Sequence, residues 1–221
     1  MKYSGTAARL PLVVAALVIG TCGGVTHGID TFAFTSITGT GSPNAAIGES
    51  QLFLDVLPGP QPGQVEFRFR NTGPELLAVT DVLFADTDGA LSGFTATSFT
   101  GPGLSFSQPT VPVILPGGAA LVPPFTATPG LVLVSDSTDE GLTAGETLIV
   151  TANLQQDQDT AELLNRIRTG EFRVGLQARG EPGGGAVSFI NQSVVIPAPV
   201  AILLGSLGVG LVGLLRRCRM L

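Results

Sequence analysis

The sequence predicts a mainly β protein, a single antiparallel β-sandwich of jelly-roll-like kind with one short helix. An N-terminal signal helix and a C-terminal transmembrane helix are expected outside it. Three observations carry that prediction. Short runs alternate apolar and polar residues at period two, the mark of half-buried strands. Most of the 30 glycines and 16 prolines among 221 residues fall between those runs as turns, the spacing of a layered all-β domain. Uncharged apolar runs flanked by basic residues stand at both ends of the chain.

The first strands are expected at Thr31 to Ile37 and Gln51 to Leu57. In Gln64 to Arg70 the alternation is strict, with Val65, Phe67 and Phe69 on one face. Asn71-Thr72-Gly73-Pro74 then supplies a turn, and Leu77 to Phe84 is the expected returning strand of a hairpin placed centrally in the sheet. Further strands are expected at Phe94 to Phe99, Leu131 to Val134, Thr147 to Leu154, Glu171 to Arg179 and Ala186 to Ile190. Between them, Pro109 to Pro129 is too rich in proline for a central strand and is expected to be a long crossover or edge loop. The one helix is expected from Asp159 to Thr169. Asp159 or Thr160 caps its start, Leu163, Leu164 and Ile167 form an apolar stripe, and Gly170 ends it.

At the N-terminus Lys2 and Arg9 precede a short apolar stretch, Leu10 to Gly20, followed by small residues. This reads as a secretory signal over residues 1–28, cleaved after Gly28 with Thr26 at the minus-three position; Thr21-Cys22-Gly23 also admits a lipoprotein reading. At the other end, residues 193–221 form a tail: Pro197-Ala198-Pro199, an apolar run to Leu215, and a basic end with Arg216, Arg217 and Arg219. The uncharged run Val200 to Leu215 gives about 24 Å of helix, so spanning a bilayer calls on Val194 to Ala198 or on local thinning. A transmembrane helix is expected over about 197–215, with the arginines on the cytoplasmic side and everything upstream across the membrane.

The exported body, residues 29–192, holds six arginines and all 17 acidic residues, a net charge near −11. That balance argues against nucleic acid as a partner. Both cysteines, Cys22 and Cys218, fall outside it, so no disulfide staples the fold.

The tail resembles that of the PEP-CTERM proteins, bacterial exported proteins with a Pro-Glu-Pro-like motif, an apolar helix and terminal arginines. In the body, Gln64 to Phe67 with Asn71 to Pro74, Asp81 to Phe84, Leu104 to Gln108, Leu115 to Gly118 and Ser188 to Asn191 look like one recurrent PEP-CTERM subgroup. The resemblance implies several partners: signal peptidase, an exosortase-type membrane protease that processes the tail, the membrane itself, and exopolysaccharide, whose production accompanies that system. The sorting-motif residues would be Pro197, Ala198, Pro199, Arg216, Arg217 and Arg219. Ala198 departs from the pattern by replacing the glutamate, which puts processing in doubt more than topology. Localisation is expected outside the cytoplasm, anchored by the tail or released to the cell surface or matrix.

Beyond His27 and before the tail there is no His, Cys, Lys, Trp or Tyr. A serine therefore lacks the usual base, and no soft-ligand set for zinc or copper exists. Carboxylate pairs would suffice for glycoside cleavage, yet phenylalanine is the body's one aromatic residue for stacking a sugar. Asp86-Thr87-Asp88-Gly89 resembles the start of a calcium loop but lacks the downstream glutamate, so a β-turn is the plainer expectation. A second acidic loop, Asp136 to Gly141, would complete a cation site only if folded near Asp86. Arg166, Arg168, Arg173 and Arg179 are expected in surface ion pairs, and Gly180 to Gly185 in a hairpin turn. No catalytic residue, metal ligand or cofactor is assigned. The expected function is a non-enzymatic surface or extracellular-matrix protein, linked to exopolysaccharide or biofilm; the alternative is a calcium-assisted binding or adhesion module anchored in the membrane.

Overall fold

The structure is a computed structural model that describes residues 29–101, 103–137, 140–180 and 185–196. The signal segment, the sorting motif, the expected membrane helix and most of the Gly180 to Gly185 turn lie outside those residues. Ten strands are described: β1 Asp30–Ser36, β2 Leu52–Pro58, β3 Gln64–Asn71, β4 Leu77–Asp86, β5 Leu91–Thr100, β6 Phe106–Ser107, β7 Val132–Ser135, β8 Thr147–Leu154, β9 Phe172–Gly180 and β10 Ala186–Ile196. Two α-helices join them, α1 Pro43–Gln51 and α2 Thr160–Thr169.

The mainly β, antiparallel expectation holds, but the hydrogen bonding does not divide the strands into two sheets. All ten join in one sheet, ordered β5-β8-β3-β2-β1-β10-β9-β4-β7-β6, which curls nearly into a barrel. The expected β3–β4 hairpin is corrected by the same order. Instead β3 lies between β2 and β8, and β4 between β9 and β7, so each is central but they occupy opposite halves. The reason is the core, because both strands present large apolar faces that meet across it rather than side by side. Phe67 on β3 packs edge-on to Phe84 on β4 at 5.0 Å, and Phe69, Phe94 and Phe172 lie within 6.0 Å of Phe84. Buried Asn71 fixes the crossover, donating its side-chain amide to the carbonyls of Leu77 and Leu142 at 2.7 and 3.3 Å.

The helices close the two ends of the roll. Asp159 caps α2 by accepting the Glu162 N–H at 2.7 Å, Gly170 ends it at φ 81°, and Leu163, Leu164 and Ile167 enter the core, all as the sequence led us to expect. The unexpected helix is α1, capped by Ser42 with Pro43 following. Its Gly48 lies against Phe189, where a Cβ would stand 2.2 Å from the ring.

Over the outside of the sheet, the Pro-rich segment 109–129 packs as a strap. Leu115 and Phe125 sit with Leu83, Ala85 and Val132 in a second, smaller core. Gly175 of β9 makes room for them, since a Cβ there would fall 2.6 Å from Leu115 and 3.0 Å from Phe125. Arg173 fastens the strap, donating to the Pro123 and Pro124 carbonyls and lying over the Phe125 ring at 5.6 Å.

The last strand also runs further than expected. The division of the chain at residue 192 gave Ser193 to Ile196 to the tail, whereas their backbone belongs to β10, with Phe32 opposite Val195 and Thr31 opposite Ile196. The β-branched run Val194-Val195-Ile196 suits a strand as well as an apolar helix, and the open edge of β1 decides between them.

Candidate functional site

Asp86 ends β4 and is buried at 6% exposure. Its two carboxylate oxygens accept the N–H groups of Ala90 and Leu91, each at 2.8 Å, and thereby tie the Asp86 to Gly89 loop into a turn. Gly89 sits at φ 66°, as such a turn requires. Asp88 points the other way, 3.9 Å from Arg166. The calcium-loop reading therefore loses its first ligand to the backbone, while the β-turn reading matches the geometry. Nor does Asp136 of the second acidic loop approach it. Asp81 pairs with Val134, so Asp136 follows the upper end of β7, whereas Asp86 lies five residues further along β4, about 17 Å at strand rise.

What the Asp136 loop approaches instead is Asp81. Thr80, Asp81, Val134, Ser135, Asp136, Ser137, Gln177 and Arg179 line a cleft of about 290 Å³ on the outer face of β4, β7 and β9. The Thr80 hydroxyl donates to Asp81 at 2.6 Å, and the Ser135 hydroxyl to the Ser137 carbonyl at 2.8 Å. Burial pushes the Asp81 carboxyl above its usual range, opposed by the Thr80 hydrogen bond and the positive charge of Arg179. This is a polar recess able to hold a hydroxylated or charged group. The sequence did carry a signal for it: Asp81 interrupts the otherwise uncharged run Leu77 to Phe84.

Four other acids hold parts of the fold together. Asp55, 7% exposed, takes a bidentate hydrogen bond from Arg70 at 2.6 and 3.0 Å and a third from Thr31 at 2.6 Å, joining β1, β2 and β3 across the outer face. Glu66 pairs with Arg68 on the same face. Glu49 on α1 accepts the Ser36 hydroxyl and N–H at 2.7 and 2.9 Å, which holds its carboxyl below the usual range. Glu146 accepts from the Thr143 N–H and hydroxyl.

The four late arginines do not form one basic face. Arg168 pairs with Asp30 at 2.9 Å and Arg166 approaches Asp88 and Glu162, in line with the expectation of ion pairs, but Arg173 departs from it by binding the strap's carbonyls. Among the described residues no group of three metal-ligating side chains occurs, and no helix is long and apolar enough to cross a membrane. Pro197, Ala198, Pro199, Arg216, Arg217 and Arg219 lie outside the described residues. No protein family, curated protein or solved structure matches this chain.

Proposed function

We propose that the protein is an exported, non-enzymatic surface or extracellular-matrix module, carried across the bacterial inner membrane by residues 1–28 and held or sorted by a PEP-CTERM-like tail. The observation that supports this reading best is where the acidic side chains are used. In a body whose ionisable groups are acids and arginines, Asp55, Asp86, Glu49 and Glu146 each bind the protein's own hydroxyl, guanidinium or backbone N–H groups. Such carboxylates brace strands and turns rather than wait for substrate. The opposed halves of the rolled sheet, meeting ring to ring at Phe67 and Phe84, are in keeping with a stable extracellular scaffold. The partners in this reading are signal peptidase, an exosortase-type membrane protease, the membrane and exopolysaccharide.

Intact mass and cell fractionation of the protein from its host, with and without a functional exosortase, test the proposal. A mass lacking everything beyond the Pro197 region, found outside the cell only when exosortase is present, is the expected result. An intact tail in the membrane fraction, unchanged without exosortase, would leave an anchored domain and remove the sorting step.

A further inference from the structure

One edge of the sheet ends in a two-residue strand, β6, and the other in a ten-residue strand, β5. The first part of β5 is irregular, with register shifts between Leu91 and Gly93 and between Phe94 and Ala96. From Ala96 to Thr100 the ladder to β8 is regular, five residues in continuous register. Every side chain from Thr95 to Thr100 is exposed. That is unusual for a strand, whose alternate residues normally bury one face. Thr97 and Phe99 lie opposite Val150 and Leu148, which are fully buried, so both stand on the inner face of the sheet and yet remain open, Phe99 at 39%. Among the described residues, the main chain of Thr95 to Thr100 forms no backbone hydrogen bond beyond its ladder to β8. Half of this strand therefore presents one edge and both faces to its surroundings.

Proteins protect such edges with lysine, proline or inward charge, and Thr95 to Thr100 carries none of these. Its neutrality also has a wider setting. Residues 89–135 contain no charged side chain in a body near −11, so β5 lies in the one long stretch where two copies of this chain approach without repulsion. The threonines and serines suit a hydrogen-bonded ladder and not a lipid surface, and the absence of charge offers nothing to a charged ligand. Antiparallel pairing about a two-fold axis makes one strand its own complement.

We infer that the outer edge of β5 is a self-association site, at which residues 96–100 pair antiparallel with the same residues of a second copy and continue the sheet through the dimer. Exposed Phe99 of each copy then gains a neighbour across the new ladder. Five residues make an interface below the standard size, so the dimer is concentration-dependent, and confinement of both copies at one membrane surface raises their effective concentration.

The test is the mass of the full-length protein in detergent by light scattering across a wide concentration range, beside Thr97→Lys and Ser98→Lys. A dimer that forms with concentration, and whose dissociation constant rises about tenfold or more in either lysine variant at unchanged Tm, is expected. Oxidative cross-linking in a Cys22→Ser, Cys218→Ser background gives a second readout. Ser98→Cys should cross-link far better than Ser92→Cys, which lies in the bulged end. A protein monomeric at every concentration, a dimer indifferent to the lysines, or equal cross-linking at both positions would overturn the inference. In the last two cases the association would belong to the apolar tail or another surface.

Discussion

Asp81 and Glu49 are perturbed in opposite directions, and the two shifts give opposite stability signatures. Burial raises Asp81, so its charged form is disfavoured in the folded state and weighs against stability above that raised value; acidification relieves it. Glu49 is lowered by two hydrogen bonds from Ser36, so it stabilises above the ordinary carboxylate range and loses that contribution as pH falls through its lowered value. Asp81→Asn should therefore raise Tm at neutral pH, with a gain in unfolding free energy well under about 1 kcal/mol for a half-buried group, and Glu49→Gln should lower it. Both differences should close towards zero at acid pH, and thermal melts across roughly pH 3 to 8, a range spanning the ordinary carboxylate values, check the pair. A difference that persisted at the acid end would mean packing, not charge. Asp86 has another role: Asp86→Ala strands two buried N–H groups and should cost about 2–4 kcal/mol in denaturant unfolding. Because those N–H groups already occupy its oxygens, millimolar calcium should leave the Tm of the parent protein unchanged, and a rise would restore the adhesion-module reading.

At the level of elements, legibility followed how local the forces were. Helix α2 was readable residue by residue because cap, stripe and terminating glycine all lie within its own span. Helix α1 had Ser42-Pro43 at its start, but Gly48 and a weak apolar face hid it; it is helical because its small side chains fit against Phe189. Gly48→Ala should accordingly lower stability by about 1–3 kcal/mol, although alanine is the better helix former. Strands β3 and β4 were each found, but the hairpin between them was not there to find: turn residues are local, whereas the choice of partner was settled by the phenylalanines facing across the core. The strap shows the same dependence. Gly175 looks like a weak point in β9 by sequence and is the seat for Leu115 and Phe125. Gly175→Ala should loosen residues 109–129, seen as faster elastase nicking of that segment than in the parent, while the Tm of the main core falls little.

Across the whole molecule, the mainly β class was legible from alternation and turn chemistry, but the order of ten strands was not, since it depends on contacts distant in sequence. The tail boundary shows the limit well: Val194 to Ile196 are apolar enough for a membrane helix and β-branched enough for a strand, and only pairing with Thr31 and Phe32 separates the two. A chain ending after Gln192 should melt below one ending after Ile196, by about 1–3 kcal/mol in unfolding free energy for the lost ladder bonds. Equal stability would return those residues to the tail. The position of β10 carries a mechanical consequence as well. It is a middle strand, held by β9 over Ala186 to Ile190 and by β1 from Phe189 to Ile196, where the tail leaves from its end. Tension applied through the tail pulls β10 lengthwise, so the flanking hydrogen bonds are loaded together in shear instead of being unzipped one by one. If the proposed tail does tether the body, a pull on it would be met first by the β1 ladder alone and only further along the strand by β9 as well.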